Sequence, residues 1–432
     1  MGRDTTGRPE TGWLEEEEFV PREEMPAAPP VRAVRESGDE FDTRGVLAHA
    51  ARQAEERNFR DFTIVDVDAH HYETESWAEI TEYIEDPVIR HLAQMGGVSR
   101  LTGQSSLIPS QVGNQDIAGR VSRYRLRGSE KIDEGVHRDV SIIKRAMRMM
   151  GIDYQLVFPT PMLNLGMHPQ VEVEVAVARA YARWMTENVL SADPSIKTML
   201  YLPFNDPAAS VKLVEDFGDG PGIVGFMVTS VRYRPVHHRD YMKLYTAIEE
   251  TGMPLGFHAA YNWQERSMEQ LNKFISVHAL GFPFYNMVHL TNWVINGIPE
   301  RFPSLPVMWI ESGLAWIPFL MQRLDDEYMM RSSEAPSLTK RPSEYMREFY
   351  YTSQPMEFTG NADALRVTFE MMDAESQLMY SSDYPHWDFD LPSKIYDLPF
   401  LSEEARRKIL GGNALKLFDI DDDKTSATKT DS

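Results

Sequence analysis

Phe62-Thr-Ile-Val-Asp-Val-Asp-Ala-His-His-Tyr-Glu73 opens with a β-branched run and closes with a cluster of ionisable side chains. Side chains alternate along a strand, so Asp66, Asp68 and His70 share one face and His71 takes the other. With the apolar partners pointing out, the acidic face points into the fold, and Asp-x-His at its end makes a two-ligand clasp for a metal ion. A buried Asp–His pair held only by a hydrogen bond is the plainer reading of the same residues. The rest of the chain decides between them.

Seven more apolar runs follow at intervals, namely YQLVFPT (154–160), TMLYLPF (198–204), GIVGFMV (222–228), PLGFHAA (254–260), LPVMWIES (305–312), FYYTSQP (349–355) and QLMYSS (377–382). Helical segments stand between most of them. Strands alternating with helices imply a parallel sheet, and eight units imply a closed (β/α)₈ barrel of the TIM type. An open doubly wound sheet is the competitor, but no glycine-rich phosphate loop follows the first strand. A barrel also explains why ionisable residues recur at strand ends: His258 ends the fifth run, Glu311 the sixth, and Asp383 follows the eighth.

Residues 84–148 break the alternation with a long polar stretch, an insertion after the first strand that is expected to lie over the mouth as a lid. Residues 1–44, rich in Glu, Pro, Arg and Gly, read as a disordered tail, as do residues 421–432; the folded domain is expected over 45–420.

The chain has 432 residues, 42% hydrophobic and 25% charged, enough for one large domain or two medium ones. Its 44 basic against 66 acidic residues give 44 − 66 = −22, a charge that disfavours nucleic acid and anionic membranes as partners. No cysteine is present, so any metal must be held by His and carboxylates. No long apolar run or secretory signal occurs, which predicts a cytoplasmic protein acting on a small molecule, alone or as a homo-oligomer.

In order and spacing, IVDVDAHHYE, GIDYQLVFPT, DPSIKTMLYLPFNDPAAS, TGMPLGFHAA, INGIPERFPSLPVMWIESGLAWIP, SSDYPHWDFD and GGNALKLF resemble the amidohydrolase superfamily between about Phe62 and Phe418. Within it they resemble the amidohydrolase-related branch that contains the aminocarboxymuconate semialdehyde and resorcylate-type decarboxylases. The resemblance implies that Asp68 and His70 are first-strand metal ligands, His258 the fifth-strand ligand, and Asp383 the eighth-strand ligand that also handles a proton. Two departures stand out: Asp68 replaces a His or Glu, and Glu311 stands where many relatives carry a catalytic His.

A divalent ion held by two imidazoles and two carboxylates, with zinc, manganese or iron as candidates and one or two ions per chain, would polarise a substrate oxygen. His289 has two readings. It packs behind the barrel on a helix face, or it joins Glu311 in a second metal site, which would make the six residues Asp68, His70, His258, His289, Glu311 and Asp383 an oxygen-activating diiron set. His386 is expected to orient Asp383 or face substrate. Arg232 and Arg234, in a basic segment with His237, His238 and Arg239, are expected either to bind a substrate carboxylate or phosphate or to form surface ion pairs. Trp316 is expected to line an apolar pocket. These features predict a metal-dependent hydrolase or non-oxidative decarboxylase of a hydrophobic or aromatic acid, with a non-heme (di)iron monooxygenase as the alternative and a non-enzymatic scaffold a distant third.

Overall fold

A computed structural model describes residues 43–98, 105–109, 132–229, 234–260, 266–357, 361–386, 388–422 and 424. The eight parallel strands are β1 (Val65–His71), β2 (Tyr154–Pro159), β3 (Ile196–Tyr201), β4 (Ile223–Thr229), β5 (Leu255–His258), β6 (Val307–Ile310), β7 (Tyr350–Thr352) and β8 (Leu378–Met379), hydrogen-bonded in sequential order. The ring closes where Val67 N–H donates to Tyr380 O at 3.0 Å and Asp383 N–H donates to Asp68 O at 2.7 Å. This is the (β/α)₈ barrel expected from the alternation.

The principal helices are α1 (Thr43–Glu56), α2 (Pro87–Gly96), α3 (Arg138–Met150), α4 (Val171–Met185), α5 (Pro207–Phe217), α6 (Met242–Thr251), α7 (Phe274–Ile295), α8 (Trp316–Arg331) and α9 (Ala362–Met372). Local chemistry sets many of their ends. Asp206 caps α5 by accepting from Ala209 N–H at 3.0 Å with Pro207 at the first helical position, and α3 stops at Gly151, whose φ of 76° is left-handed. Among the described residues no helix is long and apolar enough to cross a membrane.

A register shift on β1 between Asp66 and Ala69 breaks the alternation expected from Asp66 to Asp68. Beyond it the outward His71 meets Tyr181 of α4, its Nε2 2.8 Å from the hydroxyl, while Asp68 and His70 turn to the group they share with His258. Gly256 faces inward two residues before His258; a Cβ there would meet Ile310 Cδ1 at 2.8 Å and Met199 Cε at 3.0 Å. The barrel interior is therefore filled from neighbouring strands up to the level of His258.

Two boundaries differ from expectation. The insertion does not run to 148, because α3 is an ordinary outer helix that buries Val140, Ile143, Ala146, Met147 and Met150 against the barrel and α1. In the sequence an amphipathic stretch follows directly on a polar one, which hides the boundary between them. The lid expectation falls mainly on residues 99–104 and 110–131, outside the described residues, as does nearly all of the 1–44 tail. At the other end the chain stays attached past Ile420: Thr63 Oγ1 donates to Asp422 at 2.7 Å, and Lys424 Nζ donates to Phe62 O at 2.7 Å and Asp153 at 2.8 Å. The folded part thus reaches at least Lys424.

Candidate metal centre

Three segments bring ionisable groups to the carboxyl-terminal mouth. β1 delivers Asp68 and His70, β5 delivers His258, and the loop after β8 delivers Asp383 and His386. Their exposures are 0%, 3%, 0%, 1% and 1%, respectively. Asp68 Oδ1 lies 3.3 Å from both His70 Nε2 and His258 Nε2, and Asp383 Oδ1 lies 3.3 Å from His70 Nε2 and 2.5 Å from His386 Nδ1. Asp68, His70 and His258 form one group of donor atoms within 4.8 Å of one another, and His70, Asp383 and His386 form another. The two share His70.

The inner atoms of the first group fit a cation. Both oxygens of Asp68 and the Nε2 atoms of His70 and His258 are buried and make no hydrogen bond of good geometry. Buried polar atoms left this way are costly unless a ligand satisfies them. The outer atoms are engaged: His70 Nδ1 lies 3.3 Å from Pro159 O and His258 Nδ1 lies 2.9 Å from Ala259 O. A carbonyl can only accept, so each ring carries its hydrogen on Nδ1 and turns the Nε2 lone pair inward, the form that ligates metal.

Burial opposes the charge of Asp68, but positive charge and N–H donation from His258 and His70 outweigh it and hold the carboxyl well below the usual range; a cation would supply that stabilisation when the rings present Nε2 lone pairs instead. Burial, aided by His386, pushes His70 down to about 4, so the ring is neutral at pH 7. Two residues before Asp68, burial pushes Asp66 up to about 7 against hydrogen bonds from Ser382 and Gln155. Asp383 has a φ of 60° and Glu311 a φ of 54°, conformations that non-glycine residues adopt at a cost and that cluster at functional sites.

The other expected residues fall differently. Glu311 is 3% exposed, and its Oε2 lies 3.6 Å from His258 Nδ1, on the far side of the ring from Asp68. It stands behind His258, outside both donor groups. His289 sits on α7 with its ring stacked 6.3 Å from Phe257, which faces away from the barrel interior. The strand alternation that aims His258 inward aims Phe257 outward, so His289 packs behind the barrel, and among the described residues neither it nor Glu311 belongs to a donor group.

Trp316 donates Nε1–H to Gly313 O at 3.0 Å and packs at 6.5 Å on Tyr351 in the β6–α8 corner. Arg234, with 43% of its side chain exposed, pairs with Asp240 at 3.2 Å, the surface ion pair of its two readings. Arg232 lies outside the described residues. His386 is closer to the centre than expected: its ring stacks 4.3 Å from that of His70, and Thr160 Oγ1 lies 3.3 Å from its Nε2. Thr160 and Ser382 were missed in the sequence, although each is a hydroxyl at the end of an apolar run.

The amidohydrolase family model matches residues 65–420, and the chain belongs to that family. Among curated proteins, 2-amino-3-carboxymuconate-6-semialdehyde decarboxylase of Dictyostelium discoideum is 21% identical over 47% of this chain, and the match spans 55% of that protein's length. Among solved structures, 5-carboxyvanillate decarboxylase of Sphingomonas paucimobilis superposes with a TM-score of 0.59 at 21% identity, covering 83% of this chain and all (100%) of that one. A dihydroxybenzoic acid decarboxylase of Polaromonas with bound manganese gives 0.58 at 15% identity, covering 83% and 97%. An amidohydrolase of Mycobacterium avium subsp. paratuberculosis gives 0.63 at 19% identity, covering 83% and 99%. At these identities the structural likeness concerns the fold.

Proposed function

We propose that the chain is a divalent-metal-dependent, non-oxidative decarboxylase of an aromatic or otherwise hydrophobic carboxylic acid. The observation that carries the reading is the buried donor group of Asp68, His70 and His258, with Asp383 joined to it through His70 and the Nε2 atoms of His70 and His258 turned inward. The decarboxylases among the relatives favour this chemistry over hydrolysis, which the same donor set would also serve.

Asp68, His70, His258 and Asp383 would hold the ion, and their mixed oxygen and nitrogen set suits manganese, iron or zinc. A bound ion supplies Lewis-acid polarisation of a substrate oxygen. In the reaction the bond between the ring carbon and the carboxylate carbon breaks, a proton takes its place on the ring carbon, and carbon dioxide leaves. In this reading the Asp383–His386 pair delivers that proton, and the charge of Glu311 behind the ring steadies His258. The dinuclear oxygenase alternative rested on His289 and loses its motive with that residue behind the barrel.

The test is to load the metal-free protein with manganese and measure carbon dioxide release, under nitrogen, from a panel of hydroxylated benzoic acids. Release that stops with chelator is expected. No release from any acid, together with hydrolysis of amide or ester substrates by the same preparation, would remove the decarboxylase reading.

A further inference from the structure

Asp66 is wholly buried on β1, two residues before Asp68 at a register shift of the strand, and no cation lies within ion-pair distance of it among the described residues. Four neutral donors surround it. Ser382 N–H and Asp68 N–H reach Oδ1 at 2.8 and 3.3 Å, while Ser382 Oγ and Gln155 Nε2 reach Oδ2 at 2.5 and 2.7 Å. Ser382 is the residue immediately before Asp383. Its hydroxyl oxygen also accepts from Tyr384 N–H at 3.0 Å, the residue immediately after.

Asp383 itself adopts the left-handed conformation, with its N–H on Asp68 O at 2.7 Å. The backbone on both sides of the strained residue is thus tied, directly or through one hydroxyl, to a single carboxylate on β1. We infer that Asp66, acting through Ser382, is a positioning residue that sets the separation between the Asp68 and Asp383 carboxylates and thereby the affinity of the centre for its ion. This rests on the metal-centre reading proposed above. A barrel closure with no such role would need only the backbone hydrogen bonds between β1 and the β8 end, and those are present independently of Asp66.

Asp66→Asn puts an amide NH₂ against the Gln155 and Ser382 donors, and Ser382→Ala removes the hydroxyl while keeping the backbone N–H on Asp66. Ser210→Ala is the control, since Ser210 is equally buried and donates Oγ–H to Pro203 O at 2.8 Å, at the start of α5. Metal-free wild type and the three variants are titrated with Mn²⁺, following free Mn²⁺ by electron paramagnetic resonance, at a temperature where circular dichroism shows each to be folded. The dissociation constant is expected to rise about ten- to hundredfold in Asp66→Asn and Ser382→Ala. Ser210→Ala is expected to melt earlier and bind as wild type does.

Binding within twofold of wild type in Ser382→Ala, or an equal loss in Ser210→Ala, would overturn the positioning role while leaving the metal centre intact. Should Asp66→Asn fail to fold, Ser382→Ala decides. Absence of Mn²⁺ binding by the wild type would instead overturn the metal-centre reading, and this inference with it.

Discussion

His258 gives its two ring nitrogens different tasks, Nε2 toward Asp68 and Nδ1 toward Ala259 O and Glu311, and this division predicts opposite outcomes for neighbouring substitutions. Asp68→Ala, His258→Ala and Asp383→Ala are each expected to lose bound metal and activity while staying folded; wild-type metal content in two of the three would sink the ligand assignment. Glu311→Gln should keep the metal near wild-type content and lower turnover roughly tenfold, because a partner behind a ligand tunes it without holding the ion. Glu73 supplies a prediction in pH. It is wholly buried, its carboxylate accepts from Thr160 and Met162 N–H at 3.0 and 2.8 Å, and burial pushes it from 4.5 up to about 7. A carboxyl raised in the folded state binds its proton more tightly there, so its contribution is lost as pH climbs from about 4.5 through 7, amounting to about 3 kcal/mol. Denaturant unfolding at pH 5 and pH 8 should show wild type losing ground to Glu73→Gln over that range, and a constant difference would refute it. At this scale Asp68, His70, His258 and Asp383 were legible because strand period and strand ends are written in the sequence. His386 beside Asp383 was legible too, whereas the choice between the two readings of His289 was not, since it depends on which way a helix faces.

At the level of elements, the β6–α8 corner shows how a turn supports the centre. Gly313 has a φ of 74°, and a Cβ on it would lie 2.3 Å from Glu357 Oε1. That carboxylate accepts from Leu314 and Ala315 N–H at 2.8 and 3.1 Å, just ahead of α8. Gly313→Ala combines left-handed strain with displacement of this cap, so a loss of about 2 kcal/mol is expected, read from denaturant midpoints. An unchanged midpoint would mean that the corner relaxes freely. α7 is pinned differently, by Asn286 Nδ2 donating to Phe257 O and Ile310 O at 3.3 Å. Neither device announces itself in the sequence, where the alternation of apolar runs shows eight strands but not the side chains that bolt their ends together. The same limit explains α3: its apolar face was visible, but the polar residues before it concealed where the insertion stopped.

The whole molecule is a ring with its centre on the seam. Because an ion held by both sides of that seam binds the folded chain and not the unfolded one, Mn²⁺ at about a hundred times its dissociation constant should add about 2.7 kcal/mol, a rise in melting temperature that chelator reverses and Asp68→Ala abolishes. A melting temperature indifferent to metal would argue against a donor set shared across the closure. The seam also has a consequence in time. Asp66 and Ser382 are 316 positions apart, and at about 5–20 residues per second a ribosome needs roughly 15–60 s to travel between them. Throughout that interval the nascent chain displays Asp68 and His70, joined after residue 258 by His258, without Asp383, on a strand lacking one neighbour. The carboxylate that the β8 end adds to the centre is therefore available only to the finished chain, and a donor set that needs Asp383 would close only after synthesis.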